Sequence, residues 1–221
     1  MTGMLRVLGL AFALLVALPA AAQQVDEQLW FQANGITDLD QDTTIMLESI
    51  GRFYDKVGGF AHSEFGGIVT HTLSDSVEVA FGFRHVQDYD RGRPLPNFER
   101  FRQTITFTLA PGLTTRTRIE ETFSSDGPGM GVRARQQLRY EHAIGGGVDA
   151  FAAHESFLLV NDTGWGQQSG YDRMRHTIGL QIPLGEQLSG EVSYLNQYSF
   201  GRDGDRDEMD HIAVFALTLS L

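Results

Sequence analysis

The sequence contains no cysteine among its 221 residues. Small exported domains with a limited core usually depend on disulfides, and structural zinc sites usually include thiolate ligands. The absence of cysteine therefore excludes a disulfide-stapled scaffold and a cysteine-ligated zinc site. Stability must come from the packing and the hydrogen bonds of the chain itself.

Lysine is almost absent too, because Lys56 is the single lysine among 17 basic residues and the other 16 are arginines. Acidic residues number 28, which gives a net charge of −11. This balance argues against nucleic acid as a partner. Arginine is the residue best suited to partly buried ion pairs with carboxylates. The placement of the arginines therefore matters more than their number.

Long apolar runs are missing after the first 18 residues. The one apolar run, Val7–Leu18, follows Arg6 and precedes the small residues Ala20–Ala22. It is shorter than the about 20 residues that a membrane-spanning helix needs. This arrangement predicts a cleaved secretory signal peptide over residues 1–22, rather than a retained anchor, and an exported domain over residues 23–221.

Helical periodicity is also absent after residue 22, and alternation with a period of two replaces it. In the segment 76–88, four apolar residues alternate with Glu78, two small residues and Arg84. Segments of this kind are typical of strands that cross a membrane at a tilt, over about 9–11 residues each. The sequence predicts eleven extended segments: 27–36, 43–55, 60–72, 76–88, 98–109, 113–124, 131–144, 147–160, 171–182, 187–200 and 209–221.

The connections between these segments alternate in length. Short connections are expected at 74–75, 110–112, 145–146 and 183–186, and longer ones at 89–97, 125–130, 161–170 and 201–208. Short turns at one end and long loops at the other predict an all-β, antiparallel, up-and-down transmembrane β-barrel of the Gram-negative outer membrane. Because bacterial single-chain barrels have even strand numbers, ten strands are expected, with the segment around Trp30 incomplete, and twelve are the alternative.

The charged residues fall on the face of each strand opposite to the apolar face, and this face is predicted to line the lumen. The predicted lumen residues are Glu48, Arg52, Glu78, Arg84, Arg100, Arg102, Arg116, Arg118, Glu120, Arg133, Arg135, Arg139, Glu141, Glu155, Arg173, Arg175 and Glu191. Such a set indicates either a structural filling of neutralising Arg–Glu pairs or a narrow channel that attracts anions. Many of the aromatic residues, a set that includes Trp30, are expected in interfacial girdles, and most of the histidines at interfaces or turns.

The last segment alternates Phe215, Leu217, Leu219 and Leu221. This pattern resembles the signal read by the barrel-assembly machinery, although Leu221 stands where an aromatic residue is usual. The expected partners are therefore outer-membrane lipid and that machinery. The identity of any small ligand or permeant ion stays open, and no cofactor is expected.

Two small groups of residues could carry chemistry. His154 and Ser156 lie two apart on one strand face, as in an acyl hydrolase, and resemble the His-x-Ser of outer-membrane lipid A deacylases. Glu155, however, points to the other face. The acidic loop with Asp203, Asp205 and Asp207 is a weak Ca²⁺ candidate, because it lacks the glycine and glutamate of an EF-hand loop.

Several stretches resemble a bacterial family known as domain of unknown function 2490. They include N-D-T-G-W-G at 161–166 and Y-L-N-Q-Y at 194–198, with further likeness at 29–30, 97–102, 116–120 and 170–175. The resemblance implies an outer-membrane β-barrel of unassigned function, and it carries over no catalytic residue.

Three functions therefore stay open from the sequence. The first is a structural or narrowly conducting outer-membrane barrel. The second is an outer-membrane acyl hydrolase that uses His154 and Ser156. The third is an exported, lipocalin-like binding barrel, which requires an apolar interior and a polar exterior.

Overall fold

A computed structural model describes residues 24–221, so the predicted signal peptide over residues 1–22 lies outside the described residues. The described chain forms one closed sheet of eleven strands and a short 3₁₀ turn, Asp55–Val57. The strands are β1 Gln24–Asp38, β2 Thr43–Tyr54, β3 Gly59–Ser74, β4 Val77–Asp90, β5 Arg93–Ala110, β6 Leu113–Ser124, β7 Gly127–Gly145, β8 Val148–Leu159, β9 Gly170–Pro183, β10 Leu188–Ser199 and β11 Glu208–Ser220. Within this part of the chain, no helix has the length and apolar character needed to cross a membrane.

The prediction of an all-β barrel is confirmed, but the preference for ten strands is wrong. β1 is a full strand of 15 residues. It pairs in parallel with β11, from Gln24 opposite Glu208 to Ile36 opposite Ser220, while every other pair of neighbours is antiparallel. A parallel pair also satisfies the backbone hydrogen bonds, so an odd number of strands can close without leaving an edge.

The two ends of the barrel differ. We call one the turn end, formed by the connections 39–42, 75–76, 111–112, 146–147 and 184–187. The other is the loop end, formed by 55–58, 91–92, 125–126, 160–169 and 200–207. Two of the four long loops predicted for the loop end, 160–169 and 200–207, are present as loops.

The other two predicted long loops, 89–97 and 125–130, are instead continuations of hairpins. β4 and β5 stay paired up to Asp90 opposite Arg93 and are joined by the two residues 91–92. Arg91 and Gly92 have φ angles of 49° and 79°, as in the type I′ turns that suit twisted hairpins. Alternation does not reveal where a two-residue turn closes a hairpin, so the sequence pattern predicts these strands too short.

Burial in this barrel is the reverse of that in a soluble protein. Among the described residues, 14 polar or charged side chains are buried, compared with ten apolar ones, and 34 large apolar side chains are exposed. Phe81 is 66% exposed on the outer face, whereas Glu120 is 1% exposed in the lumen. The outer surface is apolar and the interior is charged.

Aromatic side chains cluster on the outer face near the loop end. The ring of Phe60 lies 5.4 Å from that of Phe53 and 5.2 Å from that of Tyr89, measured between centroids. Across the barrel, Tyr198 and Phe200 are 4.9 Å apart. Aromatic rings therefore lie side by side on the outer face near this end of the barrel.

Candidate functional site

The lumen contains two groups of ion pairs, and the first begins at Glu48 on β2. Glu48 accepts hydrogen bonds from Arg84 on β4 and from Arg102 on β5. Glycines on the intervening strands leave room for these arginine side chains to extend across the lumen wall. A Cβ at Gly66 would lie 2.9 Å from the Arg84 side chain, and one at Gly82 would lie 2.9 Å from the Arg102 guanidinium. Larger residues at these positions would displace the two arginines.

The second carboxylate of this group is Glu64 on β3. It contacts Arg84, the Arg52 guanidinium at 2.5 Å and the Nε2 atom of His62 at 2.8 Å. The Nδ1 atom of His62 lies 2.5 Å from Asp88. His62 is buried in the lumen, so its predicted place at an interface or turn is wrong. We call Arg52, Arg84, Arg102, Glu48, Glu64, Asp88 and His62 the β2–β5 network.

The second group is built on Glu120 of β6. Its carboxylate accepts a hydrogen bond from Arg133 Nε at 2.6 Å and from Arg135 Nη1 at 2.9 Å. Arg118 Nη1 is more distant, at 3.9 Å. Glu120 is almost completely buried, so these guanidinium groups replace the water that its charge has lost.

Glu155 of β8 is the other carboxylate of this group. It accepts a hydrogen bond from Arg135 Nη2 at 2.7 Å and from Arg116 Nη2 at 3.1 Å. Arg100 and Arg175 differ from these arginines, because within the described residues neither forms an ion pair. Their Nε atoms donate instead to Thr122 at 3.3 Å and to Gln197 at 2.8 Å, respectively. We call Arg100, Arg116, Arg118, Arg133, Arg135 and Arg175, on β5 to β9, the arginine wall.

A cavity of about 670 Å³ lies between the two groups and extends to the loop end. Its charged lining comprises ten cations, namely Arg52, Lys56, Arg84, Arg173 and the arginine wall, and the three carboxylates Glu48, Glu64 and Asp88. Glu120 and Glu155 do not line it, so the wall presents guanidinium groups to the cavity with its carboxylates behind them. The cavity is strongly cationic.

A second cavity of about 180 Å³ lies toward the turn end. The two cavities share Trp30, Gln32, Arg175 and Val214 as lining residues, so these side chains form the partition between them. The Arg52 guanidinium carbon lies 4.0 Å from the Trp30 ring centroid, and that of Arg175 lies 5.0 Å away. Trp30 therefore stands inside the lumen and not in an interfacial girdle, which corrects the prediction.

The remaining predicted lumen residues lie near the ends of the barrel. At the turn end, Arg139 contacts Glu141 at 2.6 Å and Glu191 at 3.9 Å. Glu78 lies on the face of β4 that points into the lumen, but it is exposed at the end of the barrel. It forms no ion pair within residues 24–221. Toward the loop end, Arg173 contacts Asp172 at 2.6 Å.

The parallel seam contains a buried chain of polar residues that was not among the predicted lumen residues. Gln28 donates to Asp26 at 3.0 Å and accepts from the Trp30 indole at 2.9 Å. Opposite, Gln197 donates to Asp210 at 2.6 Å. Asp26 and Gln28 have the same parity as Trp30, which could have indicated their face, but the predicted segment 27–36 begins after Asp26.

His154 and Ser156 project from the outer face of the barrel. His154 Nε2 lies 3.1 Å from Ser156 Oγ, which lies 2.8 Å from the hydroxyl of Tyr171. The ring of His176 is 4.8 Å from that of His154. Among the described residues, no carboxylate contacts His154, because Glu155 points into the lumen.

The acidic loop does not gather its carboxylates around one point. Asp203 accepts a hydrogen bond from Gln168 at 2.7 Å, and Asp207 accepts one from the Gly201 amide at 2.8 Å. Hydrogen bonds from the Tyr198 hydroxyl and from that amide lower the pKa of Asp207. The described part of the chain has no group of three or more His, Asp or Glu side chains placed to hold a metal ion, so Asp203, Asp205 and Asp207 are not assembled as a Ca²⁺ site.

Comparison with known proteins gives two findings. The profile of a family described as "Protein of unknown function (DUF2490)" matches residues 27–208. An uncharacterized protein of Methylorubrum extorquens is 32% identical over 147 residues, which are 63% of this chain and 64% of that protein. The match thus spans slightly less than two thirds of the relative's length.

Proposed function

Because the chain belongs to the DUF2490 family of proteins of unknown function, whose profile covers nearly the whole barrel, we propose a function from the geometry of the lumen. The protein is proposed to be an outer-membrane β-barrel whose cationic lumen is a narrow pathway for small anions. The distribution of polarity between the outer and inner faces carries this proposal.

The membrane location rests on the apolar outer face. Phe65, Phe81 and Leu217 are each at least half exposed there, and exposing so many apolar groups to water is costly. Lipid removes that cost, and the strands leave no unpaired edge. A lipocalin-like binder needs the opposite arrangement, an apolar interior and a polar exterior. Its support is correspondingly weak.

The preference for anions rests on the charges of the larger cavity. Ten cationic side chains and three carboxylates line it. Guanidinium groups that surround a narrow space attract anions and repel cations. Ion pairs within the β2–β5 network and behind the arginine wall explain how so many charged side chains can be buried in one barrel. These pairs do not neutralise the surface that faces the cavity.

The acyl-hydrolase alternative has less support. His154 and Ser156 form a hydrogen bond, as nucleophilic catalysis requires. The third group that orients the histidine is missing among the described residues. Tyr171 occupies the other side of Ser156, which makes a hydrogen-bonded interfacial cluster the simpler interpretation.

The first prediction concerns ion selectivity. In a planar bilayer with a KCl gradient, the refolded barrel is expected to conduct with a reversal potential that favours chloride. The double variant Arg100→Gln/Arg118→Gln is expected to lose most of this preference, because neither arginine is a close partner of a carboxylate and both line the cavity. Single-channel recording measures both quantities.

Arg93→Gln is the matched control, because Arg93 lies exposed on the hairpin at the loop end. It removes one positive charge outside the lumen and should leave selectivity nearly unchanged. A barrel that folds and inserts but never conducts would overturn the pathway. The arginine wall would then be a structural filling of the lumen.

A further inference from the structure

We propose that the arginine wall is a binding site for a small, multivalent anion of the phosphate class. The inference deepens the proposed function and rests on it, because the ligand must enter through the same cationic lumen. It adds a specific, saturable site to a pathway that could otherwise pass any small anion.

The positive charge is not spread evenly around the lumen. In the β2–β5 network, three arginines face the three carboxylates of Glu48, Glu64 and Asp88. The arginine wall sets six guanidinium groups against two carboxylates, Glu120 and Glu155. An excess of four positive charges therefore belongs to one side of the barrel, on β5 to β9.

The surroundings of Arg118 illustrate this excess. Its side chain is only 10% exposed, and its nearest carboxylate, Glu120, is 3.9 Å away. Its electrostatic neighbours are three further guanidinium groups, those of Arg102, Arg116 and Arg135. Like charges held together away from bulk water repel each other strongly. A bound anion would remove this repulsion.

Arg175 has a similar environment on β9. Its cationic neighbours include Arg52, Arg135 and Arg173, and it forms no ion pair with the nearby carboxylate of Glu155. Its guanidinium lies over the rings of Phe157 and Trp30, at 4.7 and 5.0 Å. Its head group is therefore held at the base of the cavity, where the partition begins.

The shape of the site favours phosphate over carboxylate. Guanidinium groups bind both anions through paired N–H donors. The wall, however, presents its donors from four strands, β5, β6, β7 and β9, around one cavity of about 670 Å³. A tetrahedral oxyanion directs oxygens toward several strands at once, whereas a carboxylate directs its two oxygens within one plane. The cavity has a size that is usual for small-molecule sites.

The test is isothermal titration of the refolded barrel in uncharged detergent micelles, where binding does not require conduction. Inorganic pyrophosphate, orthophosphate and citrate are the three probes, at low and at moderate salt. Pyrophosphate is expected to bind with a stoichiometry of one and more tightly than citrate. Arg118→Gln is expected to weaken pyrophosphate binding at least tenfold without lowering stability, because it removes a repelled charge.

Arg139→Gln is the matched control, because Arg139 faces only the smaller cavity, and its pyrophosphate affinity should stay close to that of the wild type. Absence of saturable pyrophosphate binding by the folded wild-type barrel would overturn the site. Equal affinities in all three proteins would also overturn it, since they indicate general charge attraction. Tighter citrate binding would reject the phosphate class. Binding in micelles without conductance in bilayers would instead reject the pathway and keep the site.

Discussion

Glu120→Gln is expected to destabilise the barrel by about 3–5 kcal/mol, the usual cost of removing one partner from a buried ion pair. Glu120 is 1% exposed and accepts hydrogen bonds from Arg133 and Arg135. The neutral amide would leave their guanidinium groups facing each other and Arg118 with less compensation. Urea unfolding of the refolded protein in micelles measures the change.

Glu78→Gln provides the control for this substitution. Glu78 lies on the inward face of β4, but it is exposed at the turn end and forms no ion pair in the described barrel. Its replacement should change the free energy of unfolding by about 0.5 kcal/mol or less. If both variants unfold alike, water rather than the buried carboxylate satisfies the arginines, and the ion-pair description of the lumen fails.

Trp30→Ala is expected to raise the single-channel conductance several-fold. The indole belongs to the partition between the cavities of about 670 and 180 Å³, and its removal would join them. It also packs with Leu195 and Ile212, so a loss of about 3–5 kcal/mol in stability is expected as well. Bilayer recording and unfolding measurements on the same preparation separate these two effects.

Phe215→Ala is the matched control, since Phe215 on β11 stacks on Phe31 outside the barrel and lines neither cavity. It loses an aromatic side chain of similar size but should leave the conductance unchanged. An unchanged conductance in Trp30→Ala would place the restriction of the lumen elsewhere.

The architecture was largely predictable because a period of two survives in every strand. Alternation alone placed Glu48, Arg102 and Glu155 on the inward faces of their strands and Phe81 and Phe83 on the outward face of β4. The strand number was not predictable from this signal, because closure depends on pairing between the two most distant segments. The sequence around Trp30 alternates like any other strand, and only the pairing of β1 with β11 shows that it completes the barrel.

The individual pairs in the lumen could not be predicted. Alternation gives the face of a residue but not its height in the barrel, which depends on register and strand tilt. It could not show that Arg84 reaches Glu48 across Gly66, or that Arg100 forms no ion pair within the described residues. The excess of positive charge on the arginine wall therefore required the register of all eleven strands.

Fluorescence quenching at single cysteines in reconstituted vesicles tests directly whether the apolar outer face meets lipid. The chain has no native cysteine, so a label placed at Phe81→Cys, Leu180→Cys or Leu217→Cys is unique, and all three positions are exposed in the structure. Labels at Asp75→Cys and Asp203→Cys, exposed in the connections at the two ends, are the controls. We expect nitroxide-labelled lipid to quench the three outer-face labels, which aqueous iodide should leave unquenched. We expect iodide to quench both controls. Iodide quenching at position 81 as strong as at position 75 would exclude contact between the outer face and lipid and would indicate a barrel surrounded by water.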